Sequence, residues 1–212
     1  MYALITDGSI AKHLSGNRGI TIGDIQYPRD IYSKWTEAQR NAIGIFEVIQ
    51  NNAKKKDEAY YINTNQTFTY DADAGTVTAT YGDATAKAHA DTTWTQADSD
   101  NGLLPSDKSV GDVKVEGLKT KLIRTVKSQA AGRLQDTDWY VVRKADAGTA
   151  VPSAITTHRA AVRTKCAEME TAITNASNTP AIETLYTYVN TADEGDPVVL
   201  ERPLGEFPVL GS

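Results

Sequence analysis

The chain has 212 residues, of which 40% are hydrophobic, and it carries a formal net charge of −5 at pH 7. This length suits one large domain or two small ones, and the apolar content is sufficient for a packed core. The acidic balance argues against a general nucleic-acid binder, because such proteins are usually basic.

Membrane, secretion and disulfide signals are weak in this sequence. No apolar run approaches the roughly 20 residues that a membrane-spanning helix needs, and the first residues, MYALITDGSIAKHL, lack the pattern of a secretion signal. The single cysteine, Cys166, cannot form an internal disulfide or a cysteine-based zinc site. We therefore expect a soluble protein of a reducing cytoplasm that binds neither membrane nor nucleic acid.

The first predicted segment, residues 1–56, is a small β/α module. Turn-forming residues separate its short apolar runs, and strands are predicted over 2–6, 20–26 and 45–49. Thr36 and Gln39 have the spacing of a capping box, in which each side chain bonds the other residue's backbone amide. A helix is therefore expected to begin after Thr36, and Gly44 is expected to close it in the left-handed conformation.

The second segment, residues 57–111, is predicted to form a β-hairpin and a linker. Apolar residues alternate with polar ones on both sides of the turn sequence DADAG, at Ile62, Phe68, Tyr70, Val77, Ala79 and Tyr81. Because the strands are rich in threonine and poor in aliphatic residues, they cannot bury two faces. One face is expected to be solvated or covered by another chain. Residues 83–111 are expected to be a loop around Trp94.

The third segment, residues 112–196, is predicted to be a module of two or three helices. Apolar residues recur at helical spacing, and the predicted helices cover 112–134, 153–175 and 181–190. Thr179-Pro180 suits the start of the last helix, because proline lacks only an amide that would be unpaired there. The Asp-Thr-Asp sequence around Thr137 is expected to end the first helix. The chain is then expected to continue as an extended segment over 139–142.

The last segment, residues 197–212, is predicted to be an extended, proline-rich arm. Three prolines prevent a regular helix, yet the segment is rich in apolar residues. A free tail is seldom so apolar, so the arm is expected either to pack on its own domain or to lie on a neighbouring subunit. The four segments together predict an α+β protein.

Two aspartate-rich turns superficially resemble calcium-binding loops. They are Asp71-Ala-Asp73-Ala-Gly and Asp98-Ser-Asp100-Asn-Gly. Both lack the full spacing and the distal glutamate of an EF-hand. Turn chemistry, in which the aspartate side chain bonds nearby backbone amides, explains them better, and no metal site is predicted.

No catalytic constellation stands out in the sequence. Cys166 and His158 lie two helical turns apart, roughly 12 Å, which is too far for a nucleophile and its base. Cys166 is interpreted as a small core residue, and no Gly-x-Ser-x-Gly elbow is present. We therefore expect neither an enzyme nor a cofactor.

The predicted helix over 112–134 belongs to a strongly basic stretch. Its basic residues are Lys114, Lys119, Lys121, Arg124, Lys127 and Arg133. Such a run could follow phosphates, but a solvated helix face is the commoner explanation. The aspartate-rich second segment offers a further alternative, in which its acids pair with this basic run inside one assembly.

The adjacent aromatic residues Trp139 and Tyr140 have two interpretations. Trp139 is large enough to anchor the crossing between two helices in the core, and this is the interpretation we favour. The alternative is an exposed binding platform.

The sequence around these residues resembles proteins associated with the tails of tailed bacteriophages. RLQDTDWYVVRKADAGTAVPSAITTHRAAVR, residues 133–163, is similar to the C-terminal module of tail-fibre assembly and related tail proteins. In that module, Leu-x-x-Thr-Asp-Trp is followed by Val-Pro and by a helix with spaced arginines, here Arg159 and Arg163. GDIQYPRDIYSKWTEAQRNAIGIFEV, residues 23–48, is similar to the segment found ahead of it. The two matches together cover somewhat more than a quarter of the chain.

The resemblance implies a structural component of a phage tail, in the baseplate or tail-fibre attachment region, that acts through protein–protein contacts. It implies no cofactor and no enzymatic activity. Other tail, baseplate or fibre proteins would be its partners, and we also expect a homo-oligomer. The protein would be made in the bacterial host cytoplasm and would reside in the virion.

The alternative is a tail-fibre assembly chaperone that leaves before the virion is complete. An enzyme acting on a cell-surface polymer is a third class, for which no carboxylate pair is visible. The residues expected to contact protein partners, some of which would instead serve the fold, are Tyr27, Trp35, Trp139, Tyr140, Pro203, Phe207 and Leu210.

Overall fold

A computed structural model describes residues 1–211 and has the α+β architecture predicted from the sequence. The chain divides into two compact units, one formed by Met1–Thr85 and the other by the chain from Ala86 onward. The predicted hairpin therefore lies in the first unit, together with the N-terminal β/α module. The four predicted segment boundaries stay predictions.

The first unit is built from short strands and two short helices. In chain order they are β1 (Tyr2–Thr6), β2 (Ser9–Leu14), β3 (Ile20–Ile22), β4 (Ile25–Tyr27), α1 (Ile31–Lys34), α2 (Glu37–Asn41), β5 (Ile45–Asn51), β6 (Tyr61–Ile62), β7 (Thr67–Asp71) and β8 (Thr76–Thr80). A short strand, β9 (Thr85–Ala86), spans the boundary between the units.

The centre of the first unit is a five-stranded sheet with the order β2-β1-β5-β8-β7. Its pairs are antiparallel except β5 with β8, which run parallel, with Val48 opposite Val77. One face buries a cluster that includes Ala3, Phe46 and Val77. At the other face, Ile45 packs in a second cluster with residues of α1 and β3.

Several details of this unit confirm the sequence predictions. Thr36 and Gln39 form the capping box, with the Gln39 amide 3.3 Å from the Thr36 hydroxyl and the Thr36 amide 2.9 Å from Gln39 Oε1. Gly44 has φ of +81°, and an added Cβ would lie 2.7 Å from the Ile5 carbonyl oxygen. In the hairpin, Phe68 faces Ala79 and Tyr70 faces Val77, as the alternation predicts.

One prediction for this unit is wrong in form. The apolar run over 20–26 is not a single strand but a tight hairpin of β3 and β4, in which Ile22 pairs with Ile25. Gly23 sits at the turn with positive φ. The sequence does not indicate the turn, because apolar residues occur both before and after it and together look like one alternating strand.

The second unit is mainly helical. Its further elements are β10 (Thr92–Thr93), α3 (Gln96–Asp100), β11 (Val113–Val115), α4 (Leu118–Gln135), α5 (Asp138–Ala147), α6 (Ser153–Asn175), α7 (Thr179–Tyr186), β12 (Val189–Asn190) and β13 (Leu200–Glu201). Helices α4 and α6 pack on each other, and the C-terminal segment covers part of their core.

Leu204 and Phe207 insert into the core of the helical unit. They are 3% and 9% exposed and pack in one cluster with residues of α4 and α6, including Val126, Val162 and Met169. The proline-rich segment is therefore fastened to its own unit through these two side chains. Other apolar residues of the segment stay on the surface, including Leu210, which is 47% exposed.

Three predictions for the helical unit are wrong. The first helix begins at Leu118 rather than Asp112, because Val113–Val115 pairs with β10 instead and leaves Val115 exposed. The helix predicted over 181–190 ends at Tyr186, since the chain then enters β12. The loop predicted over 83–111 contains β10 and α3, and Thr95 caps α3 through a box with Asp98.

The most consequential difference concerns residues 138–147. They form the helix α5, whereas the β-favouring residues at 139–142 predict an extended segment. Asp138 supplies a carboxylate in the first turn, and Gly148 closes the helix with φ of +69°. These end signals, together with Arg, Lys and Ala in the second half, outweigh the weak β-propensity of the first half.

We expect Phe207→Ala to lower the free energy of unfolding of the helical unit by about 3 kcal/mol, because it removes a buried aromatic ring from a packed core. Leu210→Ala, at an exposed position of the same segment, is the matched control and should change it by less than about 0.5 kcal/mol. Chemical denaturation followed by far-ultraviolet circular dichroism measures both. Equal effects of the two substitutions would contradict the packing described for the arm.

Candidate protein-binding surface

The turn between α4 and α5 is held by hydrogen bonds to one carbonyl group. The Leu134 carbonyl oxygen accepts from the Thr137 amide at 3.0 Å and from the Thr137 hydroxyl at 2.8 Å. Thr137 is only 2% exposed. The Thr137 side chain thus helps the amide of the C-cap residue Asp136 to satisfy a carbonyl at the end of α4.

Arg159 of α6 fastens this turn from the opposite side. Its Nη1 atom donates to the Leu134 carbonyl oxygen at 2.8 Å and to the Thr137 hydroxyl oxygen at 2.7 Å. Its Nη2 atom lies 2.8 Å from a carboxylate oxygen of Asp138, the first residue of α5. We call this set of bonds the Arg159 clamp. The planar guanidinium can serve the end of one helix and the start of the next at the same time.

Helix α5 is fixed at its first turn but contributes no buried residue to the core. Trp139, Val141 and Val142 are 51%, 43% and 66% exposed. The interpretation of Trp139 as a core anchor is therefore wrong, and the alternative, an exposed platform, describes its position. A helix face that is exposed only to solvent seldom carries several large apolar side chains close together.

Two aromatic rings and one guanidinium stack at the start of α5. The rings of Trp139 and Tyr140 lie 3.9 Å apart between centroids with an interplanar angle of 31°. The Arg143 Cζ atom lies 4.7 Å and 5.4 Å from the two ring centroids. Stacking of this kind keeps an arginine ordered and partly desolvated. We call Trp139, Tyr140, Val142 and Arg143 the α5 surface.

Arg143 has unused hydrogen-bonding capacity. Its Nε atom is buried and has no hydrogen-bond partner, and within residues 1–211 the side chain forms no ion pair. Because Nε is buried, a carboxylate of a binding partner would meet the guanidinium through its Nη groups. The arrangement can therefore bind an apolar side chain and an acidic group side by side.

Tyr27 and Trp35 lie in the first unit and pack against each other. Their ring centroids are 5.9 Å apart in an edge-to-face arrangement, and both border the buried cluster around Ile31. Both are half-buried. Their contacts are those of residues that stabilise the fold. The sequence analysis expects this role for some of the residues predicted to contact partners.

The three predicted residues of the arm differ from one another. Phe207 is in the helical core, whereas Pro203 is exposed. Leu210 borders a groove of about 430 Å³ whose other wall is the start of α6, including the buried His158. The structure therefore brings the exposed Trp139 and the half-buried Tyr140 together but does not gather all seven residues into one site.

Three of the six basic residues of this stretch form ion pairs inside the helical unit. Lys127 pairs with Glu170 at 3.0 Å, Arg124 with Glu116, and Lys114 with Asp98 at 2.6 Å. The backbone amide of Gly117 and the hydroxyl of Thr120 both bond the Asp91 carboxylate and lower its pKa. Asp91 and Asp98 come from the aspartate-rich second segment, so part of the basic run pairs with that segment within this chain.

The remaining sequence candidates have structural roles. The Asp71 carboxylate accepts hydrogen bonds from the amides of Asp73 and Ala74 at 3.0 Å, which is turn chemistry. Burial, followed by a hydrogen bond with Glu170, raises the pKa of the Cys166 thiol and disfavours the nucleophilic thiolate.

Sequence reasoning missed the stacked position of Arg143 and the buried clamp made by Arg159. A signal for Arg143 existed, because residues four apart on a helix are neighbours and Trp139 precedes it by four positions. This signal depends on the segment being helical, which the sequence did not predict. Arg159 reaches back 25 positions to Leu134, and no local pattern reveals such a contact.

We expect Arg159→Gln to lower the free energy of unfolding by about 2–3 kcal/mol, because it leaves Thr137 and the Leu134 carbonyl without their charged donor. Arg163→Gln is the matched control on the same helix, since Arg163 is exposed, and should cost less than about 0.5 kcal/mol. Chemical denaturation gives both values. Arg159→Lys should restore little of the loss, because an ammonium lacks the planar fork. A full rescue by lysine would contradict the clamp geometry.

The Asp98–Lys114 pair predicts a dependence of stability on pH. The hydrogen bond from Lys114, followed by those from Thr95, lowers the pKa of Asp98 from 3.8 to about 2. The stabilisation is therefore complete above pH ~4 and is lost as the pH falls towards ~2. Asp98→Asn should destabilise the protein at pH ~6 but not at pH ~2, and Lys114→Gln should raise the pKa of Asp98 in an NMR titration. An unchanged pKa would contradict this pairing.

Comparisons with known proteins add no family to this description. No protein-family model, curated protein or solved structure matches the chain. Within residues 1–211, none of the helices has the length and apolar character needed to cross a membrane. The functional inference below therefore depends on the geometry of the α5 surface and on the resemblance described from the sequence.

Proposed function

We propose that this chain is a structural component of a bacteriophage tail, in the baseplate or tail-fibre attachment region, and that it acts through protein–protein contacts. The α5 surface would be its contact site for another tail protein. The observation that carries the proposal is a helix that is firmly fastened at its first turn, buries none of its own residues and exposes Trp139 at 51%.

The way in which α5 is held supports a binding role. A helix that packs poorly would ordinarily be free to fray, because short helices are marginal without tertiary contacts. Here Arg159 and Thr137 fix its start, and Gly148 closes its end. The exposed Trp139 ring is thus presented in a defined orientation, which lowers the ordering cost of binding. Tryptophan, tyrosine and arginine are also the residues that contribute most at protein interfaces.

The same geometry indicates the chemistry of the partner. Val142 and the Trp139 ring offer apolar area, and the unpaired Arg143 guanidinium lies against the two rings. A partner segment with an aliphatic or aromatic side chain beside an aspartate or glutamate would match both features. The carboxylate would then meet a donor that has no acidic partner within residues 1–211.

The resemblance to phage tail proteins supports the proposed setting. The residues that carry its most distinctive part are Leu134, Thr137, Asp138, Trp139 and Arg159. In this structure the first three and Arg159 are the members of the Arg159 clamp, and Trp139 is the aromatic residue that the clamp positions. The motif therefore has a physical role in this chain, which is to present a tryptophan at the start of a short helix.

Quantitative mass spectrometry of purified virions tests this function. In virions of a phage that encodes the chain, we expect a fixed copy number relative to other tail proteins, because a structural subunit occupies defined positions. A chain that is abundant in infected cells but missing from virions would contradict the structural role. That result would favour the alternative, an assembly chaperone that is not retained.

Substitution at the α5 surface tests the contact itself. We expect Trp139→Ala to reduce incorporation into virions roughly tenfold or more, since central aromatic residues commonly contribute over 1.4 kcal/mol to an interface. Leu103→Ala is the matched control, because Leu103 is 61% exposed and lies outside α5. Thermal unfolding of both variants checks that the fold is kept. Equal incorporation of the two variants would contradict a role for this surface.

A further inference from the structure

Two adjoining grooves lie in the first unit beside the loop that connects β2 to β3. One has a volume of about 440 Å³ and the other about 410 Å³, and they share Ser15, Gly16 and Tyr32 as lining residues. Because the two grooves share these lining residues, a single extended ligand could occupy both. We call the pair the loop groove.

The wall of the loop groove is built from packed residues rather than from a loose loop. Gly16 has φ of +75°, and an added Cβ would lie 3.0 Å from the Tyr2 ring. The rings of Tyr2 and Tyr32 lie 4.9 Å apart, and the Tyr2 hydroxyl donates to the Tyr32 carbonyl oxygen at 3.3 Å. The loop therefore lies directly against a tyrosine pair, because only glycine fits at that position.

The lining of the loop groove is cationic. Lys12 and Arg18 line the first groove and Arg29 lines the second, whereas none of the residues described along either groove is an aspartate or glutamate. This contrasts with the whole chain, which has 27 acidic and 22 basic residues. Hydroxyl and amide groups of serine, threonine, asparagine and tyrosine complete the polar lining.

The cations of the loop groove differ from the other cations of the first unit. Lys34, Arg40, Lys54 and Lys55 each pair with a carboxylate, and Lys56 lies 4.5 Å from the centre of the Tyr61 ring. Within residues 1–211, Lys12, Arg18 and Arg29 form no ion pair and no ring contact, although the charge of Arg29 acts on the neighbouring Asp30 carboxylate. Among the described residues of this unit, the three lysine and arginine side chains without an ion pair or ring contact thus all line the loop groove.

We propose that the loop groove binds the oxyanion groups of a ligand, which are phosphates or carboxylates. Lysine and arginine bind such groups through charge-assisted hydrogen bonds, and Arg18 can do so with two parallel bonds. Arg29 lines the second groove, so a ligand with two anionic groups gains contacts in both grooves. The Tyr32 ring, which lines both grooves, offers an apolar surface for the part of the ligand that joins these groups.

The exposure of these cations sets the expected strength and salt dependence. Charges on a surface are screened over roughly 8–10 Å at physiological ionic strength, so a single anion binds weakly. Two anionic groups on one ligand raise the affinity, because the second contact is made at high effective concentration. The site is independent of the α5 surface and of the proposed tail function.

NMR titration of the full chain at constant ionic strength tests the site, with sodium chloride as the reference salt. The probes are inorganic phosphate, acetate and pyrophosphate. We expect saturable shifts of the amides of residues 15–19, with pyrophosphate binding at least about tenfold more tightly than phosphate. Saturation by phosphate alone would identify phosphate as the group bound, and saturation by acetate as well would identify oxyanions in general. Both outcomes support the proposal.

The matched variants remove the same number of positive charges from one unit. Lys12→Gln/Arg18→Gln should weaken pyrophosphate binding at least about tenfold, whereas Lys54→Gln/Lys55→Gln should leave it within about twofold, because those lysines already have partners. Thermal unfolding checks that both variants fold. We expect that they do, because all four substituted positions are exposed. The proposal is overturned if no probe gives saturable shifts beyond those of chloride, or if the two double variants bind equally.

Discussion

The helical unit depends on one buried guanidinium. Arg159 is 8% exposed, and its three bonds join the end of α4, the Thr137 turn and the start of α5. A buried arginine is costly unless its donors are satisfied, and this one reaches two neutral oxygens and one carboxylate. The direction of α5, and therefore the position of Trp139, follows from this arrangement. The core packing of α4 on α6 brings Arg159 into place but does not by itself orient the next helix.

Local signals in the sequence predicted much of the secondary structure. The capping box of Thr36 and Gln39 and the helix over 153–175 were correct because their causes lie within a few residues of one another. Residues 139–142 are helical although the sequence predicts an extended segment, because tryptophan and valine generally favour strands. The signals at the two ends of α5 and the bond from Arg159 to Asp138 favour the helix here. The helix α4 begins later than predicted for a similar reason. Val115 continues the apolar stripe of the helix in sequence, but in the structure it lies in β11 and pairs with Thr92 of β10.

The candidate sites were less accessible to sequence reasoning than the fold. The adjacent aromatic residues Trp139 and Tyr140 stand out in the sequence, but the exposure of Trp139 depends on where α5 lies, which long-range contacts decide. The loop groove has no sequence signature at all, because Lys12, Arg18 and Arg29 become notable only when the other cations of the unit are seen to be paired. Charge pairing is a property of the folded surface, and composition alone reports only the net balance.

The insertion of Leu204 and Phe207 into the helical core has a consequence for biosynthesis. A nascent chain that has emerged only as far as α7 lacks two of the side chains that fill the space beside α4 and α6. The helical unit can close its core only after these late residues leave the ribosome. The first unit, which is complete by Thr85, can acquire its sheet much earlier, so translation separates the folding of the two units in time.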